Sequence, residues 1–399
     1  MSRNSIILSR HIKLFLYLFI GTFFCSYLYG QYSTNEKQES QKLITLIGTI
    51  GEDDTKVPKE YLLVMPNTIA VSDSGDILLS DEYYIKVFDR NLKPKIIIGG
   101  HGQGPGEFRG PFPFVRIMPG GYISVRDNVS DYYSLFDSHY KFIFSKKISP
   151  SPRFSDFLEK KGFSKSAAFG FTVSCFDRER MLYSGLLTGA GESYYSLNYE
   201  DKNIFIPIYF ISSTSVFVYF EALNDSVIVY IINNSDNINY VSDEKGEYTV
   251  HFFNINTQKE EKAVFPFKPV LITDDYIKRT IERMSNSNKN IDRSATEKAL
   301  KNKKYFWPIV NMLNDRDYIF VFYRNLNNDN VSVMQVIDTK TKKIVYQGES
   351  SFGRDLWFIR NGNMYDRKTP GGFVRVNVYK INPIVYGKPA DPNWMNKKN

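Results

Sequence analysis

The sequence predicts an all-β fold, a six-bladed β-propeller of four-stranded antiparallel blades. Three observations carry this. A polar turn followed by a short apolar strand recurs six times, with turns near residues 75, 120, 179, 225, 315 and 362. Units of about 40–50 residues with four strands each mark a propeller. The 399 residues include 28 Tyr and 31 Phe but only 2 Cys, which favours strands over a disulfide-stapled scaffold. The last copy also lacks an outer strand, while an unassigned apolar strand stands near the N-terminus.

The N-terminus must be set aside before the fold is read. Residues 1–13 carry Arg3, Arg10 and Lys13 and no acid, and LFLYLFIGTFF (14–24) follows. That pattern predicts a secretory signal peptide over 1–30, cut after Gly30, then a linker over 31–42. The apolar run is short of the roughly 20 residues a membrane span needs. The rival reading is lipidation at Cys25, for which Phe23 and Phe24 are a poor fit; membrane attachment is expected only in that case. An uncleaved anchor is the third alternative.

From residue 43 the chain reads as blades, with the propeller expected over 43–388. LITLIGTI (43–50) is apolar and has no neighbour in sequence to pair with. SDSGDILLSD (72–81) opens the first clear hairpin, and MPGGYISVRD, FDRERMLYSG, LNDSVIVYII, NDRDYIFVFY and RNGNMYDRKT repeat it. A second strand follows each, as in YIKVFDRN (84–91) and VSVMQVIDTKTK (331–342). Most end in a polar turn and lead to an outer strand such as PKIIIG or KFIFSKK. Cys175 falls in FTVSCF, where a buried strand residue is expected.

The fourth interval, 90 residues between turn positions 225 and 315, is twice the usual one. DDYIKRTIERMSNSNKNIDRSATEKALKNKK (274–304) fills it with charged residues at helical spacing. A helical insertion over 268–306, between blades four and five, is predicted, with Asp274 or Ser294 as caps. In the sixth copy the outer strand is missing, because Pro383 and Pro389 interrupt the chain beyond Asn382. Residues 43–50 are expected to supply that strand beside 373–382 and so close the ring. Residues 389–399 are left as a C-terminal tail.

The stretch 66–111 resembles an NHL-type propeller repeat, through its Pro start, the SDSGDILLSD hairpin, the KVFD strand end and the GQGPGEFRGP exit. The whole chain from residue 31 is similar to six-bladed propeller proteins exported by Bacteroidetes-type bacteria. The resemblance implies the fold and an exported location, in the periplasm or at the cell surface. It implies no settled activity.

Removing 1–30 takes away three basic residues and no acid, so the formal net charge falls from +8 to +5. Without a basic block, nucleic acid is not an expected partner. The glycines from Gly99 to Gly106 precede prolines and a strand rather than a helix, so they read as a tight inter-blade turn and not a phosphate loop. His101, His139 and His251 fall at three different radial positions, which argues against the axial three-His zinc of NHL-type lyases. Asn67, Glu221 and Asn311 lie near innermost strands, where lactonase-like propellers hold calcium. No metal site and no cofactor are expected.

The long connections, 99–111, 149–168, 235–247 and 268–306, all fall on one face of the predicted ring. Elaborated loops on a rigid scaffold commonly carry function. Residues predicted near that face or the channel are His101, Arg109, Arg116, Tyr219, Trp307, Asn311 and Arg360. Arginines with aromatics suit a peptide or glycan with polar groups. The favoured reading is a non-catalytic binding propeller of the cell envelope that engages an envelope protein, peptide or glycan. The alternatives are a propeller hydrolase or lyase with an axial metal site, and a sensory or assembly subunit.

Overall fold

The structure is a computed structural model. It describes residues 43–51, 57–127, 129–130, 132–147, 152–162, 168–175, 177–189, 192–201, 204–212, 217–233, 236–287, 293–324, 332–350, 356–369, 374–389 and 394. The expected signal peptide, its linker and Cys25 lie outside these residues, as does the side chain of Cys175.

The strands form six antiparallel sheets; in four of them the order in space follows the chain, one carries a fifth strand out of sequential order, and one takes its outer strand from the N-terminal end. Strand β1 (Ile44–Ile50) comes first in sequence. Blade one is β2 (Thr68–Val71), β3 (Ile77–Asp81), β4 (Tyr84–Phe88) and β5 (Pro94–Gly99). Blade two is β6 (Phe114–Ile117), β7 (Ile123–Arg126), β8 (Tyr132–Phe136) and β9 (Phe142–Lys147). Helix α1 (Pro152–Lys160) leads into blade three, β10 (Ala168–Cys175), β11 (Met181–Gly189), β12 (Glu192–Glu200) and β13 (Phe205–Ser212). Blade four has β14 (Phe217–Ala222), β15 (Val227–Asn233), β16 (Ile238–Tyr240), β17 (Gly246–Asn254) and β18 (Lys259–Phe267). Helices α2 (Asp274–Ser287) and α3 (Arg293–Lys301) precede blade five, β19 (Ile309–Asp315), β20 (Tyr318–Arg324), β21 (Ser332–Asp338) and β22 (Lys343–Ser350). Blade six is β23 (Leu356–Arg360), β24 (Asn363–Lys368) and β25 (Arg375–Ile381), with β1 as its outer strand.

The recurrent polar residue at the end of each third strand has a local cause. Asp89, Asp137, Asn254 and Asp338 each accept a backbone N–H two or three residues on, at 2.8–2.9 Å. The short side chain thus folds the turn that sends the chain back along the outer strand. The core sits between neighbouring blades. Leu78, Ile85 and Val87 of blade one meet Val115, Val125 and Phe136 of blade two. Ile69, Leu79 and Phe88 meet Tyr365, Val376 and Val378 across the closing blade. Blade one therefore buries both faces, which explains its near-continuous apolar strands.

Three local expectations need correction. Blade four has five strands, because Ile238 and Tyr240 within the expected 235–247 loop pair with Tyr248 and Gly246. The burial of Ile238 explains why this segment joins the sheet. The first cap of the insertion is Thr273, whose hydroxyl accepts the Tyr276 N–H at 3.2 Å, so Asp274 already stands inside the helix. Ser294 likewise lies inside α3. The 149–168 connection contains helix α1, whose Phe154 and Leu158, four residues apart, are both buried.

Past β25 the chain makes a 3-10 turn, Pro383–Tyr386, which Asn382 caps by accepting the Ile384 N–H at 3.1 Å. Tyr386 packs edge-on against Tyr318 and Phe320 of blade five. Its hydroxyl donates to Asp315 Oδ2 at 2.6 Å. The proline-rich end is thus unsuited to a strand but anchors blade six to blade five. Trp394, in the expected tail, is buried.

Candidate functional site

The innermost strands β2, β6, β14, β19 and β23, with Leu182 of β11 from blade three, line an axial channel of about 600 Å³. It extends from Asn67, Phe114 and Trp357, where inner strands begin, to Asp73, Gly120, Asn224 and Asn314, where they end. Two of the seven predicted residues, Arg116 of β6 and Arg360 of β23, line it. Asn67 and Glu221, considered above as calcium ligands, line it too.

Alternation along β14 places Glu221. Val218, Phe220 and Ala222 pack into the core towards blade three, and Tyr219 into that towards blade five. Glu221 shares the side of Tyr219 but sits at the end of the strand, where the wall opens to the channel. Its carboxyl makes no hydrogen bond to a described residue. Burial pushes its pKa up, and the charges of Arg116 and Arg360 only partly offset that.

The two guanidinium groups differ. Arg116 lies 5.4 Å from the Phe220 ring centroid and forms no ion pair with a described carboxylate. Arg360 donates from Nη2 to Asp73 Oδ1 at 2.9 Å, while its buried Nε–H has no partner. The channel wall therefore holds an unbonded carboxyl, an unpaired guanidinium and an orphaned N–H donor. Of these, Glu221 is half-buried and Arg116 exposed, so the Arg360 Nε–H alone is a fully buried donor that bears the cost of a missing partner.

The other predicted residues fall into two further places. Tyr219, Trp307 and Asn311 gather where blade five begins. Tyr219 donates to the Ile309 carbonyl at 3.3 Å, Trp307 packs on the core between blades four and five, and Asn311 accepts the Met312 N–H at 2.9 Å. The nearby insertion is tied down at its base. Tyr305 stacks on Tyr240, and Lys304 pairs with Asp243 at 2.7 Å. His101 and Arg109 belong to the glycine-rich turn. His101 is exposed beside the Tyr83 ring, and Arg109 lies over Tyr132 at 4.2 Å. The turn folds around buried Phe108, which lies so close to Gly99 (φ 89°) that a Cβ there would clash with its ring.

The exit of that turn is held by Asp127, which accepts the N–H groups of Arg109 (2.7 Å) and Val129 (3.0 Å). Burial raises the pKa of Asp127, but these bonds outweigh it and bring it below the usual value. His251 is buried in blade four, 3.1 Å from Glu260 and 2.6 Å from Asn237. Desolvation lowers its pKa despite the nearby Glu260 carboxylate. Among the described residues, no three His, Cys, Asp or Glu side chains come close enough to hold a metal ion. No described helix is long and apolar enough to cross a membrane.

A second cavity, of about 990 Å³, lies on the face of the short turns. It is bounded by blades five, six and one, by Ile47 of β1 and by Lys388 beyond the last turn. Sequence reasoning missed it, because its walls come from seven separated segments whose turns look individually ordinary.

No family model matches the sequence, and no curated protein matches it. Solved structures share the architecture at low identity. A protein named as exported, from Bacteroides fragilis, is 12% identical, with 86% of this chain and 96% of that one covered at a TM-score of 0.44. A member of the DUF4221 family from Bacteroides vulgatus is 12% identical, covering 85% of this chain and 98% of that one, at 0.41. The β-propeller domain of the Trilobed protease from Pyrococcus furiosus is 12% identical, covering 80% and 85%, at 0.35. Likenesses this distant carry no argument about ligand, activity or location.

Proposed function

We propose that this is a non-catalytic binding propeller of the bacterial cell envelope, and that its ligand enters the axial channel. The observation that carries the reading is the unmet chemistry of that wall among the described residues: Glu221 without a hydrogen bond, Arg116 near Glu221 but in no close ion pair, and the buried Arg360 Nε–H without an acceptor. A ligand presenting an anionic group and hydroxyl donors satisfies all three. Phe114, more than a third exposed at the channel, offers a ring face for stacking. An acidic glycan combines these features. Export is supported by the basic start and apolar run of residues 1–24.

Isothermal titration with an oligogalacturonate, against a neutral maltotriose control, tests this. The acidic oligosaccharide should bind and the neutral one should not. Arg116→Ala and Glu221→Gln should each weaken binding at least tenfold, about 1.4 kcal/mol. Binding unchanged in both variants, or no binding of the acidic sugar, would sink the reading.

A further inference from the structure

We infer that the second cavity is an anion-binding site, formed only when the ring is closed, for an organic ligand with two or more carboxylate, phosphate or sulfate oxygens. It is separate from the channel reading and stands without it.

The charge on its walls is the argument. Three carboxylates border the cavity, and each is already engaged. Asp315 is buried and accepts the N–H groups of Asn361 and Gly362, both at 2.8 Å, and the Tyr386 hydroxyl. Asp317 pairs with Lys340 at 2.6 Å. Asp73 pairs with Arg360 at 2.9 Å. Of the four cations on its walls, Arg90, Arg316, Lys380 and Lys388, all but Lys380 are not matched in this way. Arg90 and Lys388 form no ion pair with a described carboxylate, and Lys388 is held only over the Tyr386 ring at 5.7 Å. Arg316 donates to the amide oxygen of Asn361 at 3.0 Å, which orients its guanidinium without neutralising it. The cavity thus presents a surplus of positive charge from three directions. Guanidinium groups suit multidentate oxygen anions.

The origin of these groups adds a consequence. Arg90 belongs to the outer turn of blade one, Arg316 to blade five, and Lys388 to the C-terminal segment; Ile47 of the N-terminal strand completes the wall. An anion bridging Arg90 and Lys388 therefore joins blade one to the segment docked on blade five, across the closing blade. Binding to the closed ring alone stabilises it by mass action.

The test uses the full chain from residue 31, with inorganic pyrophosphate and citrate as probes and sodium chloride at matched ionic strength as control. Both probes should raise the melting temperature beyond the salt control, with saturable binding by titration. Stronger binding of pyrophosphate than citrate identifies a phosphate site, and the reverse a carboxylate site. The double variant Arg90→Gln/Lys388→Gln changes exposed side chains, and it should keep the fold and weaken binding at least tenfold. Arg116→Ala, in the channel, should leave this binding unchanged. Probes no better than sodium chloride, or binding unaffected by the double variant, would overturn the inference. Binding lost in Arg116→Ala instead would assign the anion to the channel.

Discussion

Asp315 gives the most direct test of how the last blades are held together. It ends β19, is almost fully buried, and gathers three donors: the Asn361 and Gly362 N–H groups of the next blade and the Tyr386 hydroxyl of the C-terminal turn. In Asp315→Asn the side chain keeps one acceptor oxygen and presents an NH2 group to a donor. At least one charge-assisted bond is lost and a buried donor is left unmet, costing about 3 kcal/mol. Tyr386→Phe removes one bond and leaves the carboxylate two others, costing about 1–2 kcal/mol. With an unfolding entropy of about 2.1 cal/mol/K per residue over Thr45–Asn399, 3 kcal/mol corresponds to a melting-temperature fall of roughly 4 °C. Calorimetry of the two single variants and the double variant measures this. The double variant should fall short of the sum by about 1 kcal/mol, because Tyr386→Phe removes a bond to the same side chain that Asp315→Asn alters. An Asp315→Asn protein that melts with the parent, or two effects that add fully, would refute the role given to this carboxylate.

Two other expectations are simpler. Glu221 has its folded-state pKa raised by burial, so the folded state binds its proton more readily than the unfolded chain, and the associated stability is lost as pH rises through the folded pKa. Glu221→Gln should therefore be at least as stable as the parent at pH 7, with the advantage vanishing below about pH 4.5; urea titrations at several pH values measure it, and a variant less stable at pH 7 counts against the assignment. Deleting 31–50 removes β1, the buried Ile50 side chain and the Thr49–Asn377 hydrogen bond, and exposes the edge of β25. That protein should aggregate or melt earlier, as size-exclusion chromatography and thermal scans would show; unchanged behaviour contradicts ring closure by β1.

The sequence by itself determined the blades. Strand alternation, the turn-forming Asp and Asn residues and apolar runs are local or near-local signals, and they recur six times. The same logic placed LITLIGTI beside 373–382, because one copy lacked a strand and one strand lacked a copy. Arg116, Arg360, Glu221 and Asn67 were legible as inner-strand residues once the repeat was in register. His101 and Arg109 were correctly assigned to the glycine-rich turn, but that turn closes on Phe108 and Asp127, and neither residue lines the channel. Tertiary structure alone decided which side chains remain unmet. Whether Asp73 occupies Arg360, or Asp315 is consumed by Tyr386, depends on contacts between residues some 70 to 290 positions apart. The second cavity is the extreme case. It is a space between chain ends and blades that no single segment encodes, and it exists only because the ring closes.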